Sequence, residues 1–128
     1  MSLTIVFDAD SGSILDAMSA IDRGSASAAF AVSANDVLVG AVTDGDIRRA
    51  LLRGARISDP IRPHIQVNPV VARDTDSRIS ILELMQSRAI WQIPVVNEKG
   101  HIVAVHLLRE LLGRIDRPNM ALILAGGK

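Results

Sequence analysis

The chain has no cysteine. That excludes disulfides, thiolate catalysis and cysteine-ligated metal. It also has no tyrosine, and Phe7, Phe30 and Trp91 bring aromatics to only 2% of 128 residues. A platform that stacks single-stranded bases needs several exposed rings, which this chain cannot supply. The formal net charge is zero, so no global field points to nucleic acid or to a cationic partner. No apolar run approaches the roughly 20 residues that span a bilayer. The opening MSLTIVFDADSG lacks the basic and apolar regions of a secretory signal. A soluble cytoplasmic protein with no nucleic-acid or membrane partner is expected. His64, His101 and His106 have no metal-ligand spacing, and no Ser-His-Asp set emerges. No catalytic and no metal residue is therefore assigned, and an enzyme acting alone is not expected.

What is present is an ordered, apolar chain: 48% of its residues are hydrophobic, far from the composition of a disordered one. Twelve of the fourteen basic residues are arginine. Arginine suits bidentate phosphate contacts, although compositional bias alone accounts for such an excess.

The patterning repeats. Ser13-Ile14-Leu15-Asp16-Ala17-Met18 opens an apolar helical face, with Ser13 and Asp16 spaced as a capping box and Gly24 as a stop. Two short apolar runs follow on either side of Ser33-Ala34-Asn35-Asp36, a hairpin signal. A second helix, DGDIRRALL, ends at Gly54. From Ser80 the series recurs: SILELM, then IPVV, a turn at Asn97–Gly100, HIVAV and LLRELLG. SILELM matches SILDAM at an offset of 67, which falls to 63 later in the copy, so four extra residues are expected after the first long helix. Short strands are expected ahead of each long helix, in LTIVF and PVVA. The reading is α+β, β-α-β-β-α twice, with small mixed sheets packed on helices about a pseudo-twofold. Neither half is large enough to bury its own faces, so the two share a core.

The boundaries that follow are residues 1–57 for the first repeat, 58–68 for a linker and 69–114 for the second. The linker region carries Pro60, Pro63 and Pro69 and is expected to be extended rather than helical as it crosses between the halves. Asp8, Asp10, Asp74 and Asp76 precede the long helices and are expected in loops and caps. Trp91, between a helix and a strand, is expected to pack in the core or a dimer interface.

This doubled pattern resembles the CBS-domain pair, or Bateman module, over roughly Thr4 to Arg114. The most specific stretch is GAVTDGDI, in which Gly40, Thr43 and Asp46 match the Gly-x-x-Ser/Thr-x-x-Asp of nucleotide-binding repeats. The resemblance implies a regulatory module that binds an adenine nucleotide (AMP, ADP or ATP) and pairs into a homodimer. A hydroxyl and a carboxylate so close together suit the two hydroxyls of a ribose. The helix N-terminus adds free N–H groups. Asp44 lies within the motif, Arg48 and Arg49 follow on the helix toward a phosphate, and the strand around Phe30 and Ala31 is a candidate wall for the base. Capping alone also explains Thr43 and Asp46, which leaves a dimerisation scaffold without ligand as the alternative. The corresponding residues of the second copy are read as His106 and Arg109, so at most one motif-complete site is expected.

Residues 115–128 end in MALILAGGK, after a short linker. An apolar strand running into a Gly-Gly loop resembles the opening of sugar-nucleotide nucleotidyltransferases. Such enzymes occur fused behind CBS pairs, so the resemblance implies a fused catalytic domain in the full-length protein, of which these residues are the truncated start.

Overall fold

The computed structural model describes residues 5–24 and 26–115. Residues 116–128, which include the MALILAGGK run likened above to a nucleotidyltransferase opening, lie outside the described residues. The first half runs β1 (Val6–Asp8), α1 (Ile14–Gly24), β2 (Ala28–Val32), β3 (Leu38–Thr43) and α2 (Asp44–Leu52). A 3-10 turn (Arg62–His64) and a two-residue strand β4 (Gln66–Val67) follow. The second half repeats the order as β5 (Ala72–Arg73), α3 (Arg78–Arg88), β6 (Gln92–Val96), β7 (Ile102–Leu107) and α4 (Leu108–Ile115).

Each sheet begins with a parallel pair joined through a helix and continues as an antiparallel hairpin. The orders are β1-β2-β3-β4 and β5-β6-β7. All five residues of β2 are buried, because this central strand is covered on both faces. Ala29 and Ala31 turn to the helix side, where they pack with Ile14, Ala17, Ile21, Val42, Ile47 and Ala50. Phe30 and Val32 turn the other way and meet Ile102, Val105 and Leu107 of the second half. That alternation is the period of two inherent to a strand. On the far side, α3 and α4 cover Ile93 and Val95 through Ile81, Leu82, Met85 and Leu111. The layers are helix pair, sheet, sheet, helix pair.

The two halves are related at a nearly constant offset of 64 residues. Phe30 pairs with Ala41 as Pro94 pairs with Val105, and both hairpins shift register at the equivalent step. Backbone hydrogen bonds repeat likewise: Ala26 N–H to Ile21 and Ile90 N–H to Met85, Asp44 N–H to Ser27 and Leu108 N–H to Trp91. Across the axis the halves exchange a matched pair, Leu38 N–H to Gly100 and Ile102 N–H to Asp36. Val37 and its counterpart His101 face each other at the centre.

This geometry corrects the alignment of the two repeats and the course of the linker expected from the sequence. The offset does not fall from 67 to 63, and no four-residue insertion follows α1. SILELM is similar to SILDAM by a slip of almost one helical turn, which preserves the apolar face and so deceives a pattern match. The second long helix starts earlier, with Ser77 as N-cap receiving the Ser80 N–H. Ser13 and Ser77 are the true equivalents. The linker is not extended throughout: Pro63 sits in the 3-10 turn, and Gln66–Val67 pairs antiparallel with β3. Trp91 is 65% exposed, so of its two expected places, core and dimer interface, the core is ruled out.

Candidate functional site

The β3–α2 junction is built by local chemistry. Thr43 leaves the strand in extended conformation and caps α2. Its hydroxyl accepts from the Asp46 N–H at 3.1 Å, and Asp46 Oδ2 accepts from the Thr43 N–H at 3.0 Å. This reciprocal pair satisfies two amides that a helix start leaves without partners. Asp46 then does more than cap. Arg49 Nη2 donates to its Oδ1 at 2.8 Å from one turn along the helix. Gln66 Nε2, from β4, lies 2.9 Å from Oδ1 and 2.7 Å from Oδ2.

The Asp46 side chain is only 11% exposed. Burial pushes its carboxyl up, but the Thr43 amide, Gln66, the Thr43 side chain and Arg49 together outweigh this and hold it below the usual aspartate range. The group is a fixed anion aimed at whatever occupies the position of Gln66.

Gly40 has a specific reason to be glycine. β4 crosses so close that a Cβ there would run into the Gln66 carbonyl oxygen and the Ile65 side chain. The Gly40 of the motif therefore admits the linker strand that brings Gln66 to Asp46.

The structure brings Thr43, Asp46 and Arg49 together, and it separates the others. Asp44 and Arg48 lie on another face of α2, along an open groove of about 750 Å3 between α1 and α2 that is floored by Met18, Ile47 and Leu51. Phe30 and Ala31 are buried, 3% and 0% exposed. Each is paired in register with β1 on one side and β3 on the other, so their strand position is interior. Gln66 was missed by sequence reasoning. A lone Gln twenty residues from Asp46 carries no signal, although a glycine inside a strand could have announced a close neighbour.

The second junction needs a correction. With the strand register at 64, the equivalents of Thr43 and Asp46 are Leu107 and Glu110, not His106 and Arg109. The second copy keeps a carboxylate and loses the hydroxyl. A cleft of about 290 Å3 adjoins it where the halves meet, lined by Ser27, Trp91, Gln92, Leu107 and Arg109. Among the described residues no group of His, Asp or Glu stands close enough to hold a metal ion. No helix among them is long and apolar enough to cross a membrane.

The doubled β-α-β-β-α order, shared sheets and pseudo-twofold can now be set against known structures. A CBS domain protein from Pyrobaculum aerophilum complexed with AMP superposes with a TM-score of 0.71, over 94% of this chain and 90% of that one, at 23% identity. CBSX2 in complex with AMP gives 0.68 over 84% and 86%, at 19% identity. The chain has the fold of a CBS-domain pair. No protein-family model matches it. Among curated proteins it is similar to the arabinose 5-phosphate isomerase GutQ of Salmonella typhi, 29% identical over 98 residues, which is 77% of this chain and 30% of that one. The chain spans about a third of the length of the curated relatives it matches.

Proposed function

We propose that this CBS-pair chain is a regulatory module that binds an adenine nucleotide at the β3–α2 junction of its first half. The observation that carries this reading is the half-buried Asp46, held as an anion beside the Thr43 hydroxyl at a helix N-terminus. An anionic carboxylate accepts hydroxyl donors from a ribose, and the partial positive charge at the α2 N-terminus favours a phosphate. Arg49, on the same face, adds a cation. Two proteins of the same fold are known in complex with AMP. The second junction lacks the hydroxyl, so the first is the motif-complete one.

Binding of this kind regulates by favouring one arrangement of the two halves or of two modules. A homodimer is proposed through the α1–α2 groove. Its apolar floor is rimmed by Asp22, Asp44 and Arg48, charges that complement themselves across a twofold. The regulated partner is proposed to be a catalytic domain on the same polypeptide. The Ala121–Lys128 stretch favours a nucleotidyltransferase, whereas the match to GutQ favours a sugar-phosphate isomerase. The reading frame past Lys128 decides between them: a continuation with glycine, a spacer and arginine supports the former.

Thermal melts with AMP, ADP and ATP test the nucleotide reading. A ligand at about 100 times its Kd stabilises the folded state by roughly 2.7 kcal/mol, several degrees for a domain of this size. If none of the three moves the melt at millimolar concentration, the module is a dimerisation scaffold and the Thr43–Asp46 box is only a cap.

A further inference from the structure

We propose that Gln66 is a built-in competitor for the ligand's place at Asp46, and that a ligand gains the carboxylate as the linker strand β4 gives way. The inference rests on the nucleotide reading above and adds a mechanism to it.

Asp46 has no acceptor to spare. Two carboxylate oxygens offer about four lone-pair positions. The Thr43 N–H and Gln66 occupy Oδ2, and Arg49 and Gln66 occupy Oδ1. A diol that arrives with two O–H donors must displace something. The Thr43 bond belongs to the helix cap. The Arg49 bond is charge-assisted and comes from the same helix, so it is the stronger of the side-chain contacts. Gln66 is neutral, exposed and reaches Asp46 from twenty residues away. It also spans both oxygens, the arrangement a vicinal diol would take.

What carries Gln66 is a lightly secured piece of the linker. Upstream, the linker is fastened by Ile61, which is fully buried, and by backbone bonds from Ile14 to Asp59 and from Ile61 to Gly12. Downstream, Ala72 enters the second sheet beside Val95. Between these anchors, β4 has two exposed residues that pair with Gly40 and Ala41 of β3 alone. Displacing Gln66 therefore acts on the short segment that connects the two halves. A ligand at Asp46 is coupled to the linker by the loss of one contact, with no change required in either core.

The test is an AMP titration by calorimetry on the full chain and on Gln66→Ala, with amide hydrogen exchange followed across β4. Gln66 is exposed and outside both cores, so the variant should fold. Removing a neutral hydrogen-bonding competitor should tighten AMP binding about three- to tenfold. Exchange at Gln66 and Val67 should accelerate in the variant without ligand, and in the wild type when AMP binds. Equal or weaker AMP binding by Gln66→Ala, with the wild type binding normally, overturns the competitor and leaves the nucleotide reading standing. Absence of AMP binding by both proteins overturns the nucleotide reading and this inference together.

Discussion

At the residue scale, Asp46 concentrates the chemistry of this chain. It is at once cap, ion-pair partner and anchor for the linker. Its carboxyl is held below the ordinary aspartate range, so the folded chain binds that proton less readily than the unfolded chain. The stability this confers is complete above the ordinary range and is lost as the pH falls through it to the lowered value of Asp46 itself. Urea unfolding at pH 6 and at pH 3 should show a larger loss for the wild type than for Asp46→Asn, which has no carboxyl to protonate there. Equal losses would mean that the hydrogen bonds do not favour the ionised form. The Thr43–Asp46 box was legible in the sequence because both partners lie within three residues and local spacing implies local contact. Gln66 was not, because only the antiparallel register of β4 on β3 brings it there. Phe30 and Ala31, the candidate wall for a base, are both buried by the position of β2 in the middle of its sheet.

At the element scale, the strand and helix order was legible within each repeat but not in the linker, where the 3-10 turn and β4 lie, since apolar periodicity and turn residues report only on neighbours along the chain. The alignment of one copy on the other was less so. Helical periodicity tolerates a slip of three residues, whereas a sheet ladder does not. The capping residues give a direct check. Ser77 holds the Ser80 N–H at 3.1 Å, so Ser77→Ala should cost about 1 kcal/mol, and Ser80→Ala a few tenths at most. A larger loss at Ser80, measured in the same denaturant series, would restore the later helix start. At the other end of α3, Ala89 takes the left-handed conformation, with φ of 54°. Glycine meets that requirement without a Cβ clash, so Ala89→Gly should stabilise the chain by up to about 1 kcal/mol. Destabilisation by this substitution would contradict the assigned C-cap.

At the scale of the whole molecule, the two sheets meet through a small apolar layer centred on Phe30, Val32, Ile102, Val105 and Leu107. The duplication foretold a shared core, and this layer is where it lies. Phe30→Ala should cost about 3–5 kcal/mol, with a lower melting temperature and faster exchange in both hairpins. Loosening confined to the first half would show that the halves do not share a core. The proposed nucleotide site adjoins this layer through Asp44, whose N–H bonds to Ser27, and Ser27, which bonds to Gln92 of the second half. A ligand at the first junction is therefore two hydrogen bonds from the partner half.

The binding proposed above places an adenine nucleotide at Asp46. Its most direct test is an AMP titration by calorimetry of the wild type beside Asp46→Ala, both confirmed folded by circular dichroism. Saturable one-site binding is expected for the wild type and none for the variant at the same concentrations. Equal binding to both proteins, or binding to neither, would contradict it.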